Sequence, residues 1–229
     1  MSATWNVLAN SPIEKITENL WRVEGPLPGG GPPLRRVMTI AKRTDGKLVI
    51  HNGIALDAPS MKEVEAFGEP AFLIVPNGYH RIDAAAYKAR YPNMGVYCPK
   101  GAREKVEEKV TVSGSIEEIP TDPSVEMLAV DGVADREGAM KVNSSDGSTL
   151  VLNDLMFNMP HVGGVGGFVL KHITRSSGGP CISRVAKLLV VKDKAVVANE
   201  LRRLAEIPNL KRIIVSHHQM VTEDPAGAL

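Results

Sequence analysis

The sequence predicts an α/β protein built as a pseudo-symmetric sandwich of two sheets covered by helices. Three observations point there. Phe72 to Val75 is a run of four apolar residues without polar alternation, the pattern of a strand buried on both faces. Two Asp-Gly hairpins, around Thr44-Asp45-Gly46 and Ser145-Asp146-Gly147, each join β-rich runs. The end of the second half, Arg212 to His218, repeats the ending Leu73-Ile74-Val75-Pro76-Asn77 of the first almost position for position.

Taken in order, residues 1–18 are a loosely structured lead-in, and Asn19 to Glu24 is a short strand. Residues 25–33 hold too many Gly and Pro for anything but a loop, one expected to be mobile. Arg36 to Lys42 and Lys47 to His51 form the first hairpin, followed by a helix from Met61 to Phe67 capped by Ser60. The buried strand then stops at Pro76-Asn77-Gly78 and gives way to the polar cluster Asn77, Tyr79, His80, Arg81 and Asp83. An Ala-rich helix follows, ending near Tyr91-Pro92. A loop at the carboxyl end of a buried strand is a common place for a site in α/β proteins, so this turn leads the candidates.

Val96 to Cys98 reads as a strand and Ala102 to Lys109 as a helix whose mixed charges suit a solvated face, with short strands and turns over residues 110–130. Ala139 to Asn143 and Thr149 to Asn153 form the second hairpin. Asp193 caps a helix with Val197, Leu201 and Leu204 on one face, ended by Pro208, and Arg212 to His218 is the last strand. If the halves pack face to face, His51/Asn52, Asn77 to His80, Asn153/Asp154 and His217/His218 converge on one cleft. His161 follows soon after Asp154 and is a further candidate for its lining. Residues 158–183, rich in Gly and Ser, read as a flexible flap beside it.

Composition excludes several classes. Lys+Arg 27 against Asp+Glu 26 gives no electrostatic reason to expect nucleic acid or an anionic membrane. No apolar stretch approaches membrane-spanning length, and the start lacks a basic segment followed by an apolar run, so the expectation is a cytoplasmic chain of one domain over residues 1–229. Cys98 and Cys181 lie outside any Cys-x-x-Cys spacing. The glycines after His161 match no phosphate-loop spacing, and no Gly-x-Ser-x-Gly is present. The expected partner is a small molecule, and a homo-oligomer is compatible with the sequence.

The duplicated unit resembles the metallo-β-lactamase fold, a four-layer αββα sandwich of two such halves, and within that superfamily the divergent proteins that have lost the usual metal motif. The family's Thr-His-x-His-x-Asp-His would fall on Pro76-Asn77-Gly78-Tyr79-His80-Arg81-Ile82, where each metal-binding position has changed. The bridging aspartate matches Asp154, after Leu150-Val151-Leu152-Asn153, and the last histidine matches His217, after Ile213-Ile214-Val215-Ser216. Where the family has a histidine between the halves, near Val130 to Glu137, this chain offers Asp131, Asp135 and Glu137.

The resemblance implies a hydrolase-like protein with a degenerate site. Asp154 and His217, with His80 as a third ligand if the turn at Gly78 swings it inward, would hold one weakly bound divalent metal, zinc or similar, or act as base and acid themselves. Asn77 and Tyr79 would position a small polar substrate. Arg81 supports the other reading, a non-catalytic descendant that binds an anionic ligand or a partner without metal.

Overall fold

The computed structural model describes residues 4–29 and 34–229. A seven-stranded sheet runs in the order of the chain through β1 (Glu14–Thr17), β2 (Leu20–Pro26), β3 (Arg35–Lys42), β4 (Lys47–His51), β5 (Glu69–Ile74), β6 (Gly95–Cys98) and β7 (Gly114–Ser115). Helices α1 (Ala58–Phe67), α2 (Ala84–Arg90) and α3 (Arg103–Glu107) fall between its later strands. The second half supplies β8 (Val125–Ala129), β9 (Gly138–Ser144), β10 (Gly147–Leu152), β11 (Phe157–Met159), β12 (Gly179–Cys181) and β13 (Leu210–Val215), with α4 (Gly164–Phe168), α5 (Arg184–Leu189) and α6 (Lys194–Ala205). Its four-stranded sheet has the order β13-β10-β9-β8.

The duplicated unit is there as expected. Antiparallel β3–β4 is followed by α1 and by β5 parallel to β4, while antiparallel β9–β10 is followed at length by α6 and by β13 parallel to β10. Strand alternation divides the buried side chains into three layers. Leu73 and Val75 join Leu48, Ile50 and Tyr87 in the core beneath α1 to α3, whereas Phe72 and Ile74 join Val49, Val151 and Ile214 between the sheets. Leu150, Leu152, Ile213 and Val215 pack with Leu201 and Leu204 of α6 in the third core. Three cores between four layers make the αββα sandwich, and they place the carboxyl ends of β4, β5, β10 and β13 around one cleft.

Three expectations are corrected, and the segment expected as a flap has structure of its own. The lead-in contains β1, paired with β2; its sequence Glu14-Lys15-Ile16-Thr17 lacks the apolar run that marks a buried strand because it forms the sheet edge. The expected loop over residues 25–33 is in part the end of β2, and Gly30 to Pro33 lie outside the described residues. Helix α1 begins at Ala58 rather than Met61. Asp57 is its cap and accepts from Ser60 N, so Ser60 is inside the first turn. The expected flap carries α4, a π-helical turn over Val169–Ile173, and β12 paired with β11, which in turn bridges to His218. No helix among the described residues is long and apolar enough to cross a membrane.

Asp122 fastens the hairpin β3–β4 to the start of β8. Its carboxylate accepts from Thr44 N (3.1 Å), Ser124 N (2.9 Å) and Val125 N (3.1 Å), and from the hydroxyls of Thr44 and Ser124. Burial alone would raise its pKa, but the bonds from Ser124 and Thr44 prevail and hold it near 2, against an ordinary 3.8. A depressed carboxyl stabilises the fold above its unfolded pKa and loses that contribution as the pH falls towards the folded one. Acid titration of stability should therefore fall between about pH 4 and 2 in the native chain, and Asp122→Asn should remove that part of the slope while lowering stability at pH 7 by on the order of 2 kcal/mol. An unchanged acid slope would assign these bonds no weight.

Candidate metal centre

The turn after β5 is shaped by Asn77. Its side-chain Oδ1 accepts from Tyr79 N (2.8 Å) and His80 N (3.1 Å), an Asx turn that closes the loop on itself. Gly78 is required by crowding, since a Cβ there would lie 2.8 Å from Lys105 Cβ. The turn swings His80 inward and sets His80 Nε2 at 3.1 Å from Asp154 Oδ1. His217, two residues past β13, places its Nε2 at 3.0 Å from the same oxygen. These three ligand atoms lie within 4.8 Å of one another.

Each imidazole is fixed from behind. His217 Nδ1 donates to Arg35 O at 2.8 Å, and Phe157 stacks on its ring at 5.2 Å between centroids and 8° between planes. His80 Nδ1 faces Asn52 Oδ1 at 3.1 Å. Asn52 has a positive φ of 58°, a conformation asparagine tolerates, and its amide donates to Val37 O at 2.8 Å; that orientation leaves Oδ1 as the acceptor for His80. Carbonyl oxygens only accept, so both Nδ1 atoms carry hydrogen, and each Nε2, at hydrogen-bond distance from one carboxylate oxygen, either donates to it as part of an imidazolium or presents a lone pair that only a cation can share with it.

The carboxylates are ordered in the same way. Asp154 Oδ2 accepts from Asn77 Nδ2 at 2.8 Å. Behind it the buried Glu137 accepts from Asn77 Nδ2 (3.0 Å), Asn153 Nδ2 (3.1 Å), Asp154 N (3.2 Å) and Leu155 N (2.9 Å). Burial, and next the charge on Asp154, push the Glu137 carboxyl up, against the pull of these donors. Burial would also raise Asp154, but with both imidazoles protonated the charge of His80 opposite it and the hydrogen bonds from His217 and His80 hold it well below the usual carboxylate range.

The cluster lies at the polar end of a cleft of about 270 Å³ whose other walls are apolar, among them Leu34, Ile82, Phe157, Val185 and Leu189. Tyr79, 67% exposed, stands at its rim. The cation of the cleft is Arg36, buried against Asp83 at 2.7 Å. Two expected residues are not brought in. Arg81 is drawn towards α3, where its guanidinium bonds Lys105 O and pairs with Glu108 at 2.7 Å. His161 is exposed and bonds Ser177 at 3.0 Å, turned to the 177–178 bend instead of the cleft. Asn77, expected to position substrate, is spent on the turn and on Asp154. Asn52 reaches the cleft with the strand-end sets expected there, Glu137, one of the three acids where a ligand histidine was expected, backs Asp154, and Arg36 and Phe157 enter as new members.

Comparison with solved structures agrees with this architecture. The chain matches the DIM-1 metallo-β-lactamase exposed to ceftazidime with a TM-score of 0.64, at 13% identity over 97% of this chain and 95% of that one. A second DIM-1 metallo-β-lactamase structure matches with a TM-score of 0.61 at 12% identity, covering 94% of this chain and 92% of that one. TMB-1 matches with a TM-score of 0.60 at 14% identity, covering 94% and 93%. No protein-family model matches the chain, and no curated protein matches it by sequence. What the two halves and their layers share with these structures is the fold.

Proposed function

We propose, with the metallo-β-lactamase fold as premise, that this chain is a hydrolase-like protein in which His80, Asp154 and His217 hold one divalent cation, zinc or a similar ion. One observation carries the reading: two imidazoles whose Nδ1 hydrogens are committed to carbonyl oxygens bring both Nε2 atoms to the same Asp154 oxygen, at 3.1 and 3.0 Å. Three such atoms stay together only with protons or a cation among them, and a divalent cation displaces the protons. Two histidines and a carboxylate suit zinc, and three protein ligands leave a fourth position open. A cation so held supplies Lewis-acid activation of water and of a substrate oxygen.

The chain's own groups do the rest. Asn77 orients Asp154, Asn52 and Arg35 O set the imidazoles, and the cleft walls exclude water from the apolar part of a ligand. The substrate this favours is a small molecule with a hydrolysable polar group and an apolar flank, the first towards Asp154 and the second against Phe157, Ile82 and Leu189. Arg81, part of the support for an anion-binding descendant without metal, is engaged by Glu108.

Protein purified without chelator should contain about one equivalent of divalent metal. Zinc or manganese should raise the melting temperature of chelator-treated protein, and Asp154→Ala should abolish that rise. Stabilisation by anions with none from any divalent metal would overturn the metal-site reading in favour of a ligand-binding descendant.

A further inference from the structure

Beneath the cleft, four buried polar atoms have no hydrogen-bond partner among the described residues: Thr39 Oγ1, His51 Nδ1, Asn153 Oδ1 and Ser216 Oγ. Their residues are 0–2% exposed. Topology makes them one group. Thr39 and His51 are register partners across β3 and β4. Asn153 and Ser216 directly follow Leu152 and Val215, which are register partners in the parallel pair β10–β13. Val37 N donates to Ser216 O at 2.8 Å, tying the end of β13 to β3. Strand alternation fixes the face, because Val37, Val49, Val151 and Ile214 belong to the inter-sheet core, and each of the four residues stands two positions from one of them.

We propose that the inter-sheet space at these strand ends is a bound-water site, in which roughly one or two ordered waters are held by Thr39, His51, Asn153 and Ser216. Buried polar groups in folded proteins are almost always paired, and four unpaired ones at neighbouring strand ends are more than a marginally stable domain tolerates. The donor set suits water rather than an ion: two hydroxyls that both give and accept, one amide oxygen and one imidazole nitrogen. Burial, and next the nearby His80, hold the His51 imidazole down to about 3, so it offers a neutral nitrogen. Three of the four residues immediately precede members of the metal centre, His51 before Asn52, Asn153 before Asp154 and Ser216 before His217. The water forms the floor on which those three side chains are seated, and its presence does not depend on whether a metal is bound.

The sign of a stability change tests this. Thr39→Val and Ser216→Ala each remove a hydroxyl at nearly constant volume. With water bound, each loses a partner, and the melting temperature of the full chain, metal-free or loaded, should drop by about 2–4 °C. If the space is dry, removing an unsatisfied hydroxyl should instead raise it. A crystal structure of the full chain at atomic resolution gives the second readout. Ordered water within hydrogen-bond distance of at least two of the four atoms is expected, and a dry gap, mutual pairing of the four, or an alkali cation in the density would overturn the proposal.

Discussion

Asp154→Asn should weaken zinc binding by roughly a thousandfold while leaving the metal-free chain folded. If a complete zinc site contributes about 10–16 kcal/mol over four positions, an even share is about 2.5–4 kcal/mol, and a charged ligand takes the upper end, about a thousandfold. The charge matters more than the donor count here, because Asp154 is the only carboxylate of the cluster and holds both Nε2 atoms to one oxygen. The fold should survive because Glu137, not Asp154, anchors the surrounding backbone. Competition against a chelating dye measures the affinity, and a circular dichroism melt checks the fold. An affinity within threefold of the native chain would exclude Asp154 as a ligand.

Glu137→Ala should have the largest effect on stability of any single change at the site. It leaves two side-chain amides, Asn77 and Asn153, and two backbone N–H groups, Asp154 and Leu155, facing an apolar methyl in a buried setting. Unsatisfied donors cost about 1–3 kcal/mol each, and partial rehydration reduces the sum, so a loss of about 4 kcal/mol is expected, or on the order of 10 °C in melting temperature. Glu137→Gln keeps the volume but turns one acceptor into a donor, so it should lose less stability and weaken metal binding by about 10–100-fold through the Asn77–Asp154 link. Equal melting temperatures for the native chain and Glu137→Ala would show that water replaces the carboxylate without loss.

Most of the fold was legible because its signals are local. The Asp-Gly turns, the apolar run at Phe72 to Val75 and the Asp193 cap of α6 each speak within a few residues. What was missed is decided at a distance or at an edge. Strand β1 has too little burial to mark its sequence, and Asp57 outcompetes Ser60 because Pro59 fits the first turn of a helix. At the site, Asp154 and His217 follow recognisable strands. His80 stands one residue past the nearest ligand position in the family motif, and only the Asn77 turn brings it in. The links from Asn77 to Glu137 and from Arg81 to Glu108 span 60 and 27 residues, and no local pattern announces them. The Gly and Ser content of residues 158–183 suggested a flexible flap and did not announce that β11 and β12 pair there and lead back to His218.

The most direct test is anomalous diffraction at the zinc edge from crystals of the full chain grown with zinc. A single strong peak is expected at roughly 2.0–2.2 Å from His80 Nε2, Asp154 Oδ1 and His217 Nε2 together. Density for zinc elsewhere on the chain, with none among these three atoms, would contradict the assignment of a metal centre to this cleft.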